Sequence, residues 1–440
     1  MDSKTIVKKI FDSGVKSVLP DHMLTNSVRI KNERMHVSDL TINLSNFKHI
    51  YIIGAGKASA LMAKEIEKKL GSRISAEHII VKYGHSCDLQ YGQITEAGHP
   101  VPDANGFQAT QEIVKILDEA KKEDLIICLL SGGGSALLAD CPEGALPEDL
   151  VKLNQLLLIS GADIHEMNVV RKHLSKVKGG QLAKTAFPAT LVSLILSDVI
   201  GDSLDIIASG PTSADHSTFS DAWKILEKYN LVQEIPVSLK DYLQKGLAGI
   251  VEETPKEGDA LFQNVHNFII GSNTLALKAA YKKCLELGLD AEIITSELQG
   301  DAELAAQQIV NQSLEVQKQL LKGERKVLLY GGETTVQVKG KGLGGRNQHL
   351  ALCATILLSG KKGITILSAG TDGNDGPTDA AGAIVDYTTV ENAGRKKVNI
   401  NYYKENFDSY HFFKEVGGQV VTGSTLTNVM DLIVVLINAQ

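Results

Sequence analysis

Residues 340–348 (GKGLGGRNQ) and 369–379 (AGTDGNDGPTD) carry the residue types best suited to polyanion chemistry. The first sets Arg346 where a glycine turn opens a helical pattern. The second follows an apolar run and crowds Asp372, Asp375 and Asp379 into eight residues. Glycines let backbone amides approach an anion, arginine offers a bidentate fork, and carboxylates hold a divalent cation that offsets phosphate charge. A guanidinium at a helix N-terminus opposes the helix dipole unless an anion joins it, so Arg346 reads as a ligand-facing group. Asp372, nearest the end of the apolar run, is the expected magnesium ligand, while Asp375 and Asp379 read as turn residues. These parts suit a phosphoryl-transfer site, and equally a protein that only binds a phosphorylated ligand.

Other loops supply more of the same chemistry. In GAGKAS (54–59), Ser59 replaces the third glycine of a dinucleotide fingerprint, and the next strand ends on Lys82 where an acid would hold a ribose hydroxyl. Walker spacing is absent too. Gly54, Gly56 and Lys57 remain as a strand-turn-helix anion site, with an exposed first-turn lysine as the plainer alternative. Ser131, Gly132, Gly133, Gly134 and Ser135 follow a strong apolar run. Three successive glycines cost chain entropy, so the loop reads as amides converging on phosphate, or else as a tight packing turn. Asp198 stands just past the run 191–196, placed to accept a hydroxyl proton or hold magnesium. Glu333 follows Tyr330-Gly331-Gly332, either as a strand-end ligand or in a hairpin turn before a further strand at 335–338. His99 and Asp103 in HPVPD either line a pocket or, for Asp103, cap the helix that follows. No histidine has zinc-ligand spacing with a partner.

Short apolar runs must position these loops. Strands are expected at 49–53, 78–81, 125–130, 191–196, 265–270, 291–295, 326–330 and 364–369, several continuous in hydrophobicity as in sheets covered on both faces. Helical patterns lie between them at 58–70, 107–119, 218–229, 274–287 and 302–321. The fold class is α/β, as two α/β domains with mainly parallel sheets. The polar stretch 252–259 (EETPKEGD) divides them into residues 1–250 and 260–440, and the final strand returns to the first domain or stays in the second. The chain has 440 residues, net charge −7 and 5% aromatics, which gives no basic or stacking surface for nucleic acid. Five scattered cysteines without a CxxC pair read as reduced thiols. The first residues lack a signal-peptide core and no run is long enough to span a bilayer, so a cytoplasmic protein without membrane partners is expected.

In chain order, GAGKAS, GHPVPD, SGGGSALL, LSDVIGD with ASGPT, GGETTV, GGRNQ, AGTDGNDGPTDAAGA and TGSTLTNVMDL closely resemble the class II glycerate kinases, whose C-terminal region is known as the MOFRL domain. The resemblance spans nearly the whole chain. It implies ATP- and Mg2+-dependent phosphorylation of D-glycerate to 2-phospho-D-glycerate, a Rossmann-like N-terminal domain, and an active site in the interdomain cleft. It implies catalytic positions at Lys57, Asp198, Arg346, Asp372 and Asn428, with Asp198 and Asp372 on the metal and Glu333 joining the glycine loops at the nucleotide. One departure stands out. The family usually reads TGPTGTNVNDL where this chain places Ser424, Leu426 and Met430. Two alternatives stay open: an NAD(P)H-dependent hydroxypyruvate reductase, a label often given to such chains, and a phospholigand sensor. Homo-oligomerisation is also open.

Overall fold

A computed structural model describes residues 1–439. They form two compact units, an N-terminal one of residues 23–197 and 202–270, and a C-terminal one of residues 1–22, 198–201 and 271 onward. The polar stretch 252–259 therefore lies inside the N-terminal unit, and the change of unit falls at 270–271.

The N-terminal unit holds a six-stranded sheet in the order Gln93–Ala97, Ile74–Lys82, His49–Ala55, Asp124–Leu130, Thr190–Leu196, Val265–Gly271. The pairings joining its first five strands are parallel. Asp124–Leu130 (DLIICLL) is buried at every residue, which is why it is apolar without alternation. The crossover helix Ala104–Asp118 begins where Asp103 accepts the Gly106 N–H at 3.1 Å, so Asp103 is a helix cap. Four helices, Pro147–Ser160, Ile164–Lys172, Phe219–Lys228 and Val237–Leu247, build a separate core around Leu157, Val170, Leu226 and Leu239. The sequence reading anticipated only the third. A three-stranded antiparallel sheet over residues 28–43 completes the unit.

One buried acid gives this unit a pH-dependent stability. Glu77, 4% exposed, stands on Ile74–Lys82. Burial, then the nearby Glu67 carboxyl, push its carboxyl from 4.5 up to about 8. Glu67 accepts the N–H groups of Gln90 and Tyr91. Because the folded value exceeds the unfolded one, the stability linked to Glu77 is complete below about pH 4.5 and is lost as pH rises to about 8. Urea denaturation across that window should show wild type weakening relative to Glu77→Gln. Parallel pH profiles for the two proteins would refute this account.

The C-terminal unit's sheet runs Asp290–Leu298, Arg325–Gly332, Asp431–Asn438, Ile364–Gly370, Gly382–Asp386, Gln419–Val420. Its first pairing is parallel and the remainder antiparallel. The expectation of mainly parallel sheets thus holds for the N-terminal sheet, whereas this one is mixed. Asp431–Asn438 inserts antiparallel between two strands instead of returning to the other domain, and Gly382–Asp386 pairs antiparallel on both sides. Helix Arg346–Leu357 is buried continuously from Asn347 to Thr355, through a polar first turn and the apolar run Leu350–Ala354. Helix Ser3–Ser17 packs on Asn273–Glu286 and on the last strand, so the first residues belong here. Residues 335–338 form no strand; Thr335 makes one isolated bridge to Asp301. Glu333 therefore leaves its strand into an irregular segment, and the hairpin alternative falls. Among the described residues no helix is long and apolar enough to cross a membrane.

Candidate functional site

In the C-terminal unit, three sequence-distant segments meet at one guanidinium. Arg346 is the first residue of its helix, after the cap Gly345. Its Nε and Nη2 donate to Asp431 Oδ2 and Oδ1 at 2.6 and 3.0 Å, a bidentate fork. Its Nη1 reaches Glu333 Oε1 at 2.6 Å. Asp431 is 4% exposed and opens the central strand; Glu333 follows Gly332 at the end of the neighbouring one. Burial alone would make the Arg346 proton easier to lose, but the Asp431 hydrogen bonds and the charges of Asp431, Glu333 and Asp375 outweigh it and raise its pKa. Burial raises the Glu333 carboxyl above its ordinary value; Arg346 opposes this, and the negative charges of Asp431, Asp198 and Asp372 reinforce it. Glu333 thus reports that Asp198 and Asp372, both in this unit, lie near enough to act on it.

The helix N-terminus beside Arg346 is already filled. Asp375, 3% exposed, accepts the backbone N–H groups of Asn347 and Gln348 at 3.0 and 2.8 Å, with the two side-chain amides adding 3.4 and 3.1 Å contacts. This corrects two expectations. Asp375 is a helix cap supplied from another loop, more than a turn residue, and the amides expected to bind a ligand anion hold this carboxylate. Gly345 is needed because a Cβ there would strike Asp375. Burial pushes the Asp375 carboxyl up to about 6 against the pull of those hydrogen bonds. Asp379 accepts from Tyr410 Oη at 2.9 Å on the surface, as a turn residue can.

Asp372 lies two residues past Ile364–Gly370, where its Oδ1 accepts the Asn374 N–H at 3.0 Å and its carbonyl the Thr425 N–H at 3.1 Å. The segment holding Asn428 is tied to the same corner. Thr371 Oγ1 donates to the Met430 carbonyl at 2.6 Å and accepts the Val429 N–H at 2.9 Å, and Asn428 Oδ1 accepts from Met430 N–H at 3.0 Å. Leu426 and Met430 sit at φ +60° and +66°. These are the two positions where the family pattern has glycine and asparagine, the residues that tolerate left-handed backbone. The chain keeps the loop geometry and bears the strain. Leu426 is 41% exposed, so removing its side chain loses little packing. Leu426→Gly should stabilise the protein by about 0.5–1 kcal/mol, relief of left-handed strain exceeding glycine's added unfolded-chain entropy. A lowered urea midpoint for this variant would show that the side chain packs better than it strains.

The N-terminal unit gathers a second set. Lys57 follows Gly56, whose φ of +142° and lack of a Cβ let the turn close on Ser131. The turn's amides are consumed internally: Gly56 N–H donates to Ile80 O at 3.1 Å, Lys57 N–H to Gly132 O at 2.9 Å, and Ala58 N–H to Ser131 Oγ at 3.0 Å. Gly54 lies within the strand, where a Cβ would press on Leu129. The expected amide cradle at 54–58 is therefore absent, and the side chain of Lys57 is what this turn presents. Among the described residues its ammonium has no carboxylate within ion-pair distance. In the 131–135 loop, Gly134 is a packing glycine against Ala55 and Ala208, and Ser135 Oγ pairs with Ser209 Oγ at 2.7 Å. Gly133 adopts φ +88° with its α-carbon facing the His99 ring. The N–H groups of Gly132 and Gly133 make no hydrogen bond within the described residues, so this loop retains donors that 54–58 lacks. His99 is held down to about 4 by burial first, then by the charges of Lys57, Lys82 and His85. A neutral imidazole thus faces a concentrated positive field.

Asp431 and Asp375 are the residues that motif reading undervalued. An acid opening an otherwise apolar strand, DLIVVLIN, was the available signal for the first. Glu303, His349 and Cys353 place ligand atoms within 4.8 Å of one another. However, the Lys404 ammonium pairs with Glu303, His349 stacks on Phe407, and burial pushes the Cys353 thiol up to about 12. That group is packing around a paired acid.

Residues 6–244 match a domain family described as of unknown function, DUF4147, and residues 326–431 match the MOFRL family. Glycerate 2-kinase of Pyrococcus horikoshii is 40% identical, over 100% of this chain and 98% of its own length. D-glycerate 2-kinase of Thermotoga maritima is 41% identical, over 99% and 98%. The crystal structure of glycerate kinase from Thermotoga maritima superposes with a TM-score of 0.88 at 41% identity, covering 99% of each chain. On sequence and on fold together, this chain belongs to the MOFRL family of glycerate 2-kinases.

Proposed function

We propose that this protein transfers the γ-phosphoryl group of ATP to D-glycerate in a magnesium-dependent, direct in-line reaction giving 2-phospho-D-glycerate. The observation that carries the reading is the Arg346 cluster, where one guanidinium is held by Asp431 and Glu333 while Asp198 and Asp372 act on the same acid. Phosphoryl transfer asks mainly for positioning and for charge placed where it develops. Such a fixed cation with acids around it meets that demand, and the homologues named as glycerate 2-kinases support the acceptor.

Asp198 and Asp372 offer the hard carboxylate oxygens that magnesium prefers, and the raised pKa of Glu333 marks an acidic field that favours a cation. Held by these two carboxylates, the ion would supply positive charge to offset that of the phosphates. The chain's own residues do the rest. Lys57 and the Gly132 and Gly133 N–H groups bind phosphate oxygens, and Arg346, oriented by Asp431, stabilises charge on the transferring group. Asp198 or Asp372 accepts the proton of the attacking glycerate hydroxyl. Asn428, its Oδ1 accepting from the Met430 N–H, offers its amide nitrogen as a donor for the acceptor.

Incubation with D-glycerate and MgATP should yield ADP and a product whose phosphorus NMR coupling places phosphate on carbon 2. No ADP beyond the no-acceptor control would overturn the kinase reading, and phosphate on carbon 3 its regiochemistry. Consumption of NADH by hydroxypyruvate without ATP would favour the reductase instead.

A further inference from the structure

The N-terminal unit contains a cavity of about 260 Å³ that, Gly133 apart, none of these roles uses. It borders the polyanion loop directly, since Gly133, Ser135 and His99 form one wall. The walls beyond are apolar, from Pro102, Phe107, Leu150, Val151 and Leu174 among others. Against them stand charged groups of two kinds. Lys178 is satisfied, donating to Leu138 O at 2.6 Å and lying 3.5 Å from Asp140. Arg171 is not. Its Nε donates to Asn154 Oδ1 at 2.8 Å, and among the described residues no carboxylate comes within ion-pair distance. Its proton is loosened by burial with no charge compensating it. A half-buried guanidinium without a counter-ion is costly to maintain, and Arg171 lines this cavity beside its apolar walls.

A ligand for this cavity must offer an anionic group to Arg171 and a flat apolar portion to the wall, and must be continuous with phosphate at Gly132–Gly133. The acceptor glycerate is too small and too polar to cover the apolar side. We infer that the cavity holds the nucleoside end of the nucleotide donor, its base against the Leu150–Val151 and Leu174 wall and a phosphate oxygen on Arg171. This rests on the kinase reading given above and adds to it the place where the nucleotide is recognised. Arg171 then acts as a binding residue and takes no part in bond making.

The test begins with wild type, by calorimetric titration of MgADP and by steady-state kinetics. Arg171→Ala and Val151→Phe, the second filling the cavity without touching a charge, are then compared with it, and circular dichroism confirms that each is folded. Both variants should weaken ADP binding and raise the KM for ATP at least tenfold, leave the KM for D-glycerate within twofold, and leave kcat largely intact. Arg171→Lys should recover part of the loss. Unchanged ADP affinity in two folded variants overturns the inference while wild-type transfer keeps the kinase reading. A raised KM for glycerate with normal ADP binding also overturns it, and assigns the cavity to the acceptor. Wild type that neither binds ADP nor transfers phosphate removes the kinase reading itself, and this inference with it.

Discussion

Arg346→Ala should lower kcat by about 10³-fold, the scale of losing a donor aimed at developing charge. Stability should fall as well, by about 3–5 kcal/mol, because Asp431 is left as a buried carboxylate without its fork. The two effects separate in one series. Arg346→Lys restores a charge near Asp431 and Glu333 but cannot make both hydrogen bonds from one plane. It should recover much of the urea stability and little of the turnover. Initial rates at saturating ATP and D-glycerate, with denaturation on the same samples, give both readouts. Near-wild-type turnover in a folded Arg346→Ala protein would remove the guanidinium from the chemistry and leave it as a fold-stabilising pair.

Lys57→Ala should behave in the opposite way. Its ammonium satisfies no carboxylate in the N-terminal unit, so its loss should change stability by no more than about 0.5 kcal/mol. If Lys57 binds transferring phosphate, kcat/KM for ATP should drop by about 10²–10³-fold. This pairing, a large kinetic loss on an unaltered denaturation curve, is the mark of a side chain kept for its ligand. A destabilised variant with modest kinetic loss would place Lys57 in the architecture instead. His99 gives an internal check. Its imidazole is held neutral partly by Lys57, so removing the lysine should let His99 protonate at higher pH, visible by NMR of the imidazole carbon.

Sequence reading went furthest where side-chain chemistry coincided with the end of an apolar run. Glu333, Asp198 and Asp372 all follow that rule, and the C-terminal unit gathers them near Arg346, which opens a helix after a glycine turn. It went wrong where backbone groups were assigned to a ligand. Whether an N–H is free depends on what a distant segment brings to it. Ile80, Gly132 and Ser131 occupy the amides of the 56–58 turn, and Asp375 occupies the helix start beside Arg346. No local pattern reveals such partners. The parallel sheet was legible because DLIICLL and its neighbours are apolar throughout. The mixed sheet was not, because a fully buried antiparallel strand such as Asp431–Asn438 has the same continuous hydrophobicity. The helical core at 147–247 escaped because it exists to bury its own faces and carries no motif.

The middle position of Asp431–Asn438 has a consequence for biosynthesis. Its neighbours, Arg325–Gly332 and Ile364–Gly370, leave the ribosome first but cannot pair with each other, since the strand that separates them is still to be made. The opening helix Ser3–Ser17 must wait longer still for its own partners, Asn273–Glu286 and that same strand. Residues 23–197 can meanwhile collapse on their own sheet as they emerge. The Arg346 guanidinium thus acquires its carboxylate fork only after Asp431–Asn438 has been made and threaded between its two neighbours.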